Sequence, residues 1–154
     1  MTTAKQSIWE ITDVLDELVA LGWSTFIGSD LVRIDNEPPP ASVVCSSIAI
    51  SGSTSATVLF FADTKLAASG TAAVLGMELS EVSDDEIHDV IGELVNIIGG
   101  NLKGVVSDGE QQWGLSLPVV SNAMQRCPGS RLVAEVSFVT EGGTLGCHIL
   151  EHSS

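Results

Sequence analysis

Asp89, Glu93 and Asn96 are the residues whose types and spacing could do chemistry together. Offsets of four and then three residues put them on one side of a helix, within an arc of roughly 60° at about 100° per residue. A carboxylate and a carboxamide one turn apart on a stiff rod can grip a cation and orient a water molecule. The amide offers both a donor and acceptors, and it stays uncharged beside an anion.

The surrounding sequence supplies that rod. Ser83 and Glu86 form a capping box, Ser-x-x-Glu, which fixes a helix start. Ile87, Val90, Ile91, Leu94, Ile97, Ile98 and Leu102 recur at helical spacing and make an apolar stripe opposite the polar trio. Gly92, Gly99 and Gly100 interrupt the helix at a cost of about 1 kcal/mol each relative to Ala. Gly92 and Gly99 are expected on the Asn96 side, leaving the amide unwalled for close approach. Equally, such glycines let a helix pack tightly on its own sheet. Lys103, near the helix end, complements the dipole there.

Composition narrows the class of protein. The 154 residues fit one domain, 1–154, large enough to bury a core. With 44% hydrophobic and 17% charged residues the chain is expected to fold rather than stay disordered. A net charge of −14 argues against a nucleic-acid partner, which calls for a basic stripe, and favours a partner with exposed lysines or its own metal ion. Cys45, Cys127 and Cys147 are odd in number and unpaired in spacing, which points to a reducing compartment. The N-terminal residues carry no apolar signal core, and no run approaches the roughly 20 apolar residues of a membrane span. A cytoplasmic location is the resulting expectation.

Along the rest of the chain, Ser7-Ile-Trp-Glu10 reads as a second capping box opening a helix over about 8–21, with a stop near Gly22. Strands are expected at Leu31–Ile34, Ser42–Ile50, Thr54–Phe61, Gly104–Ser107, Gln112–Val120, Arg131–Thr140 and Thr144–Leu150. Asp63 is placed to cap an Ala-rich helix ending at Gly76. Laying the first helix over the long one, 76 residues apart, pairs Ile11 with Ile87, Leu15 with Ile91, Asp13 with Asp89 and Glu17 with Glu93. Ala20 stands where Asn96 would. A duplicated helix-plus-hairpin unit with a pseudo-twofold relation follows. The expected architecture is α+β, a largely antiparallel sheet covered by the two related helices, with the Ala-rich helix packed elsewhere.

Asp89-x3-Glu93-x2-Asn96, followed by Ile-Ile-Gly-Gly-Asn101-Leu-Lys103, resembles the signature of the CheC/CheX/FliY chemotaxis phosphatases. Leu115-Ser-Leu-Pro118 and the Asp63-x2-Leu66-Ala67 helix start are similar to CheX-type features. One complete motif per chain is the CheX pattern. The resemblance implies a phosphatase that hydrolyses the phosphoryl-aspartate of a CheY-like response regulator. Glu93 would pair with the regulator's active-site lysine and Asn96 would align the attacking water. Asp89, Gly92, Gly100 and Lys103 would lie in the partner-binding face. The regulator would bring the Mg2+, this chain having no cofactor of its own, and a homodimer joined through sheet edges is implied.

Two other readings compete: a non-catalytic regulator- or rotor-binding module related to the middle domain of FliM, and a small-ligand sensory module on the same fold. His88, His148 and His152 have no third ligand at metal spacing and read as structural or solvated. Trp9, Trp23 and Trp113 read as core or interface anchors.

Overall fold

A computed structural model describes residues 6–35, 37–109 and 112–153. Among the described residues three α-helices, α1 (Thr12–Phe26), α2 (Thr64–Leu75) and α3 (Asp84–Val106), and a 3-10 turn at Leu79–Glu81 accompany seven strands: β1 (Val32–Ile34), β2 (Val43–Ser51), β3 (Ser55–Asp63), β4 (Gly114–Leu115), β5 (Val119–Ser121), β6 (Ser130–Thr140) and β7 (Gly143–His152). All pairings are antiparallel, in the order β1-β6-β7-β3-β2-β4, with β5 also on β2. The fold is α+β, as expected.

The strand order is a palindrome. Exchanging β1 with β4, β2 with β6 and β3 with β7 returns the same order reversed, so a pseudo-twofold axis runs between β3 and β7. The helices obey it too: α3 lies over β2 and α1 over β6. Alternate residues of the central strands, among them Ile48, Val58, Phe60, Val136 and Cys147, face the helices and form the main core with Leu94, Ile98 and Leu15. The opposite face carries a smaller cluster of Val43, Cys45, Leu59 and Phe61. Burial pushes the Cys45 and Cys147 thiols up, which keeps them protonated and unreactive. Among the described residues no helix is long and apolar enough to cross a membrane.

Four boundaries differ from the sequence reading, each for a tertiary reason. Ser7–Glu10 does not open a helix. It forms a turn in which Ser7 Oγ donates to Glu151 Oε2 at 2.7 Å and accepts from the Trp9 backbone, while Trp9 is fully buried. α1 starts after it, at Thr12, without a side-chain cap, and it runs past Gly22 to Phe26. Gly22 is where α1 passes α3: a Cβ there would lie 3.4 Å from Ile98 and 3.6 Å from Leu94. The true stop is Gly28, in a left-handed conformation that L-residues disfavour.

Gly104–Ser107 is not a strand. α3 absorbs Gly104–Val106, because Val106, one turn after Leu102, reaches the core from the helix. Gln112–Val120 splits into β4 and β5 around Pro118, which has no N–H for the ladder. Ser116 bridges the gap, its Oγ accepting from the Ala49 N–H at 2.8 Å and its own N–H donating to Ala49 O at 2.9 Å. Elsewhere the boundaries follow the sequence. Asp63 caps α2 by accepting from the Lys65 N–H, and Gly76 closes it in the left-handed region.

Candidate functional site

α3 is fixed at its start and along one flank, leaving a free ridge. The capping box forms as expected: the Glu86 N–H donates to Ser83 Oγ at 3.2 Å, and the Ser83 N–H donates to Glu86 Oε1 at 3.0 Å. Asp84, Asp85 and Glu86 load the first turn with negative charge and Lys103 the last with positive, both favourable to the helix dipole. One long side, from Ile87 to Leu102, is buried against the sheet.

Asp89 and Glu93 are exposed, and Asn96, Gly100 and Lys103 are half-buried. By helical rotation these five lie within about 40° either side of one line down the rod. No side-chain hydrogen bond or ion pair engages Asp89, Glu93, Asn96 or Lys103 among the described residues. The Glu93 carboxylate, exposed, and the Asn96 amide, half-buried, therefore spend none of their bonding capacity on the described residues.

The glycines divide between the two roles expected of them. At Gly99 a Cβ would sit 2.6 Å from Ile48 Cγ2 and 3.4 Å from Leu115. At Gly92 it would lie 3.2 Å from Val120 and 3.7 Å from Pro118. Both glycines are buried, so the expectation that they open the Asn96 side is corrected: they let the β4–β5 segment and β2 press against α3. Gly92, placed by the sequence in the partner-binding face, is covered by this chain's own Pro118 and Val120. His88 joins the same seam, its Nε2 lying 2.8 Å from Asn122 Oδ1. Gly100 differs, since none of the described residues beyond its own helix turn lies within 4 Å of the Cβ it lacks. It is the glycine that keeps the ridge low.

A model of the family described as chemotaxis phosphatase CheX matches residues 44–131. The chain belongs to the CheX family. That match contains the whole of α3 and its supporting β4–β5 segment, whereas α1 precedes it. The fold agrees with solved structures. A CheX from Vibrio vulnificus superposes with a TM-score of 0.76 at 18% identity, covering 96% of this chain and 100% of that one. A CheX from Desulfovibrio desulfuricans gives 0.73 at 18% identity, over 93% and 99%. The Borrelia burgdorferi CheX solved in complex with CheY, BeF3 and Mg2+ gives 0.70 at 14% identity, over 92% and 97%. No curated protein matches the sequence.

The remaining candidates of this CheX-family chain take structural places. His148 Nε2 lies 3.7 Å from Glu135 Oε2 and packs edge-on against Phe61. Burial lowers its pKa, and Glu135 opposes that in part. His152 Nε2 lies 2.6 Å from Thr57 Oγ1. Trp9 and Trp23 are fully buried, and Trp113 packs edge-on against Trp9 at 5.9 Å. Among the described residues no group of three or more His, Cys, Asp or Glu could hold a metal ion.

Sequence reasoning missed one feature. Ile97, assigned to the core stripe, lies outside the main core and lines a cleft with Leu21, Gly22, Thr25, Phe26 and Asn101, between α1 and α3. Its place at the stripe's edge, about 80° from the centre, was the available signal.

Proposed function

We propose that this chain is a phosphatase acting on the phosphorylated aspartate of a CheY-like response regulator, and that α3 enters the regulator's phosphorylation site. The observation that carries the reading is the Glu93–Asn96 pair: unpartnered, one turn apart, on a helix that lies within the CheX family match. Glu93 engages a lysine of the regulator. Asn96 holds a water by accepting a hydrogen bond from it and directs the water's oxygen at phosphorus, where a new P–O bond forms as the water's proton passes to the phosphoryl oxygens. The P–O bond to the aspartate then breaks, leaving the aspartate carboxylate and inorganic phosphate.

Phosphoryl transfer passes through a loose transition state, so positioning and charge neutralisation supply most of the acceleration. A neutral amide suits that place, since a carboxylate would repel the phosphoryl oxygens. The Mg2+ such chemistry uses is assigned in this reading to the regulator, in keeping with the composition of the Borrelia CheX complex.

Asp89 extends the acidic face, Gly100 admits close approach and Lys103 borders the site. Gly92 lies on the flank beside Asn96, under Pro118 and Val120 of this chain, and is not proposed as a contact. The outer edge of β6 from Arg131 to Val136 has no strand partner among the described residues, because β1 covers only Ser137–Val139. That edge supports a homodimer formed by strand pairing. The small-ligand reading is disfavoured because Glu93 stands in solvent rather than inside a convergent pocket.

The test is a dephosphorylation time course with CheY-like receivers from the same genome, charged with acetyl phosphate. A receiver whose phosphate is lost faster with this protein supports the reading. Unchanged lifetimes for every receiver would remove it.

A further inference from the structure

The cleft between α1 and α3 has no role in the reaction just described, and it holds the apolar side chains that the helices withhold from the core. It measures about 240 Å3, and Leu21 at its rim is 59% exposed. The internal repeat builds it: Leu21 is the 76-residue counterpart of Ile97, and Thr25 that of Asn101. One turn before each apolar residue stands an exposed glutamate, Glu17 on α1 and Glu93 on α3. α1 lacks an amide at Ala20, yet it keeps the rest of this pattern on its outer surface.

We infer that the cleft is the docking pocket for the regulator. An apolar side chain of the regulator enters between Leu21 and Ile97, and basic side chains around it meet Glu17 and Glu93. This rests on the phosphatase reading and adds to it the contact that selects the partner. Continuity is the first argument. Ile97 lies one turn after Glu93 and Asn101 one turn after Ile97 on the same flank of α3, so a regulator that meets Glu93 borders the cleft.

Size is the second argument. The volume falls below the range of about 300–1,000 Å3 typical of small-molecule sites and suits one protruding side chain. Charge is the third. Asp13, Glu17, Asp89 and Glu93 are all exposed on the two helices. A second copy of this chain, at −14, would set like charges against them, whereas a partner with basic residues around an apolar knob is complementary. In this arrangement α3 carries the reacting amide and α1 provides grip.

Leu21→Ser tests the pocket with the receiver that the parent protein dephosphorylates. The partly exposed position should keep the fold intact, with only a small fall in melting temperature from the weaker helix propensity of Ser. KM should rise about tenfold with kcat within about twofold, and Leu21→Met should restore the parent KM, the signature of lost uniform binding. Binding of the same receiver charged with beryllofluoride and Mg2+ should weaken in parallel. An unchanged KM in an active background would overturn the docking pocket while leaving the phosphatase reading in place. If Leu21→Ser lowers the oligomeric mass in sedimentation with KM unchanged, the cleft holds a second copy and the inference fails. Absence of turnover by the parent on any receiver would sink both.

Discussion

α1 and α3 are two versions of one device. They share an apolar spacing, an outward Asp–Glu pair and a place across a pseudo-twofold axis, yet they are finished differently. α3 is capped at Ser83, flanked by β4–β5 and armed with Asn96; α1 has no side-chain cap and presents Ala20. The repeat thus presents two similar surfaces, and on the proposed reading a single amide separates the helix that aligns a water from the one that only holds the partner. Rigidity was added to the same copy. The reacting group must stay within a fraction of an ångström of its target, while a docking surface tolerates more slack.

The sharpest way to break this contrast is at Asn96 itself. Asn96→Ala should lower receiver dephosphorylation by about 10²–10³, the cost of one positioning group, or roughly 3–4 kcal/mol. Asn96→Asp should lose as much, because an isosteric carboxylate keeps the shape but repels the phosphoryl group. The circular dichroism spectrum should be unaltered and melting should not fall for Asn96→Ala, since no described residue bonds to the amide and Ala is the better helix former. Full activity in either variant would remove the distinction between the helices.

A second contrast lies within α3. Gly99→Ala should destabilise the protein by about 1–2 kcal/mol, the overpacking against Ile48 exceeding the gain in helix propensity. Gly100→Ala, whose methyl meets none of the described residues, should stabilise it by up to about 1 kcal/mol and at the same time raise KM by adding a methyl to the ridge. Equal melting shifts for the two would contradict the division of the glycines between packing and access.

The glutamates separate the helices more gently. Glu93→Gln should raise KM for the phosphorylated receiver up to about tenfold, an effect that shrinks at high salt, as expected of an exposed charge pair. Glu17→Gln should raise it by about twofold, because Glu17 steers from the side that carries no reacting group. A larger effect at Glu17 would mean that the regulator sits chiefly on α1.

Much of this was legible in the residues. α2 could be read to its last residue because Asp63 and Gly76 are local signals acting on their own helix. Ser83 and Glu86 likewise fixed the start of α3, and the polar trio at Asp89, Glu93 and Asn96 needed only helical geometry to share a face. What could not be read depended on distant partners. The Ser7–Glu10 box is as good a motif as Ser83–Glu86, but Trp9 gains more from the core than the motif gains from a cap. Gly92 and Gly100 look alike in sequence, and they part company only because β5 lies over one and nothing over the other. Ile97 is apolar and nearly in phase with the stripe, and only the closeness of α1 at Gly22 turns it into a cleft wall.

That same pair of capping boxes gives the smallest and most local comparison. Ser83→Ala removes the acceptor of the Glu86 N–H, and it should cost about 1 kcal/mol and speed amide exchange in the first turn of α3. Ser7→Ala removes a bond to Glu151 on β7, and it should loosen the N-terminal segment around Trp9 with no change in exchange within α1. The two motifs are the same four-residue pattern, so identical exchange signatures would mean that Ser7 acts as a helix cap in solution. Distinct signatures, one in a helix and one in a strand contact, would establish that the second copy of the box serves to anchor the chain end. They would also leave α1 to begin wherever its core contacts place it, which is the freedom a gripping helix can tolerate and an aligning helix cannot.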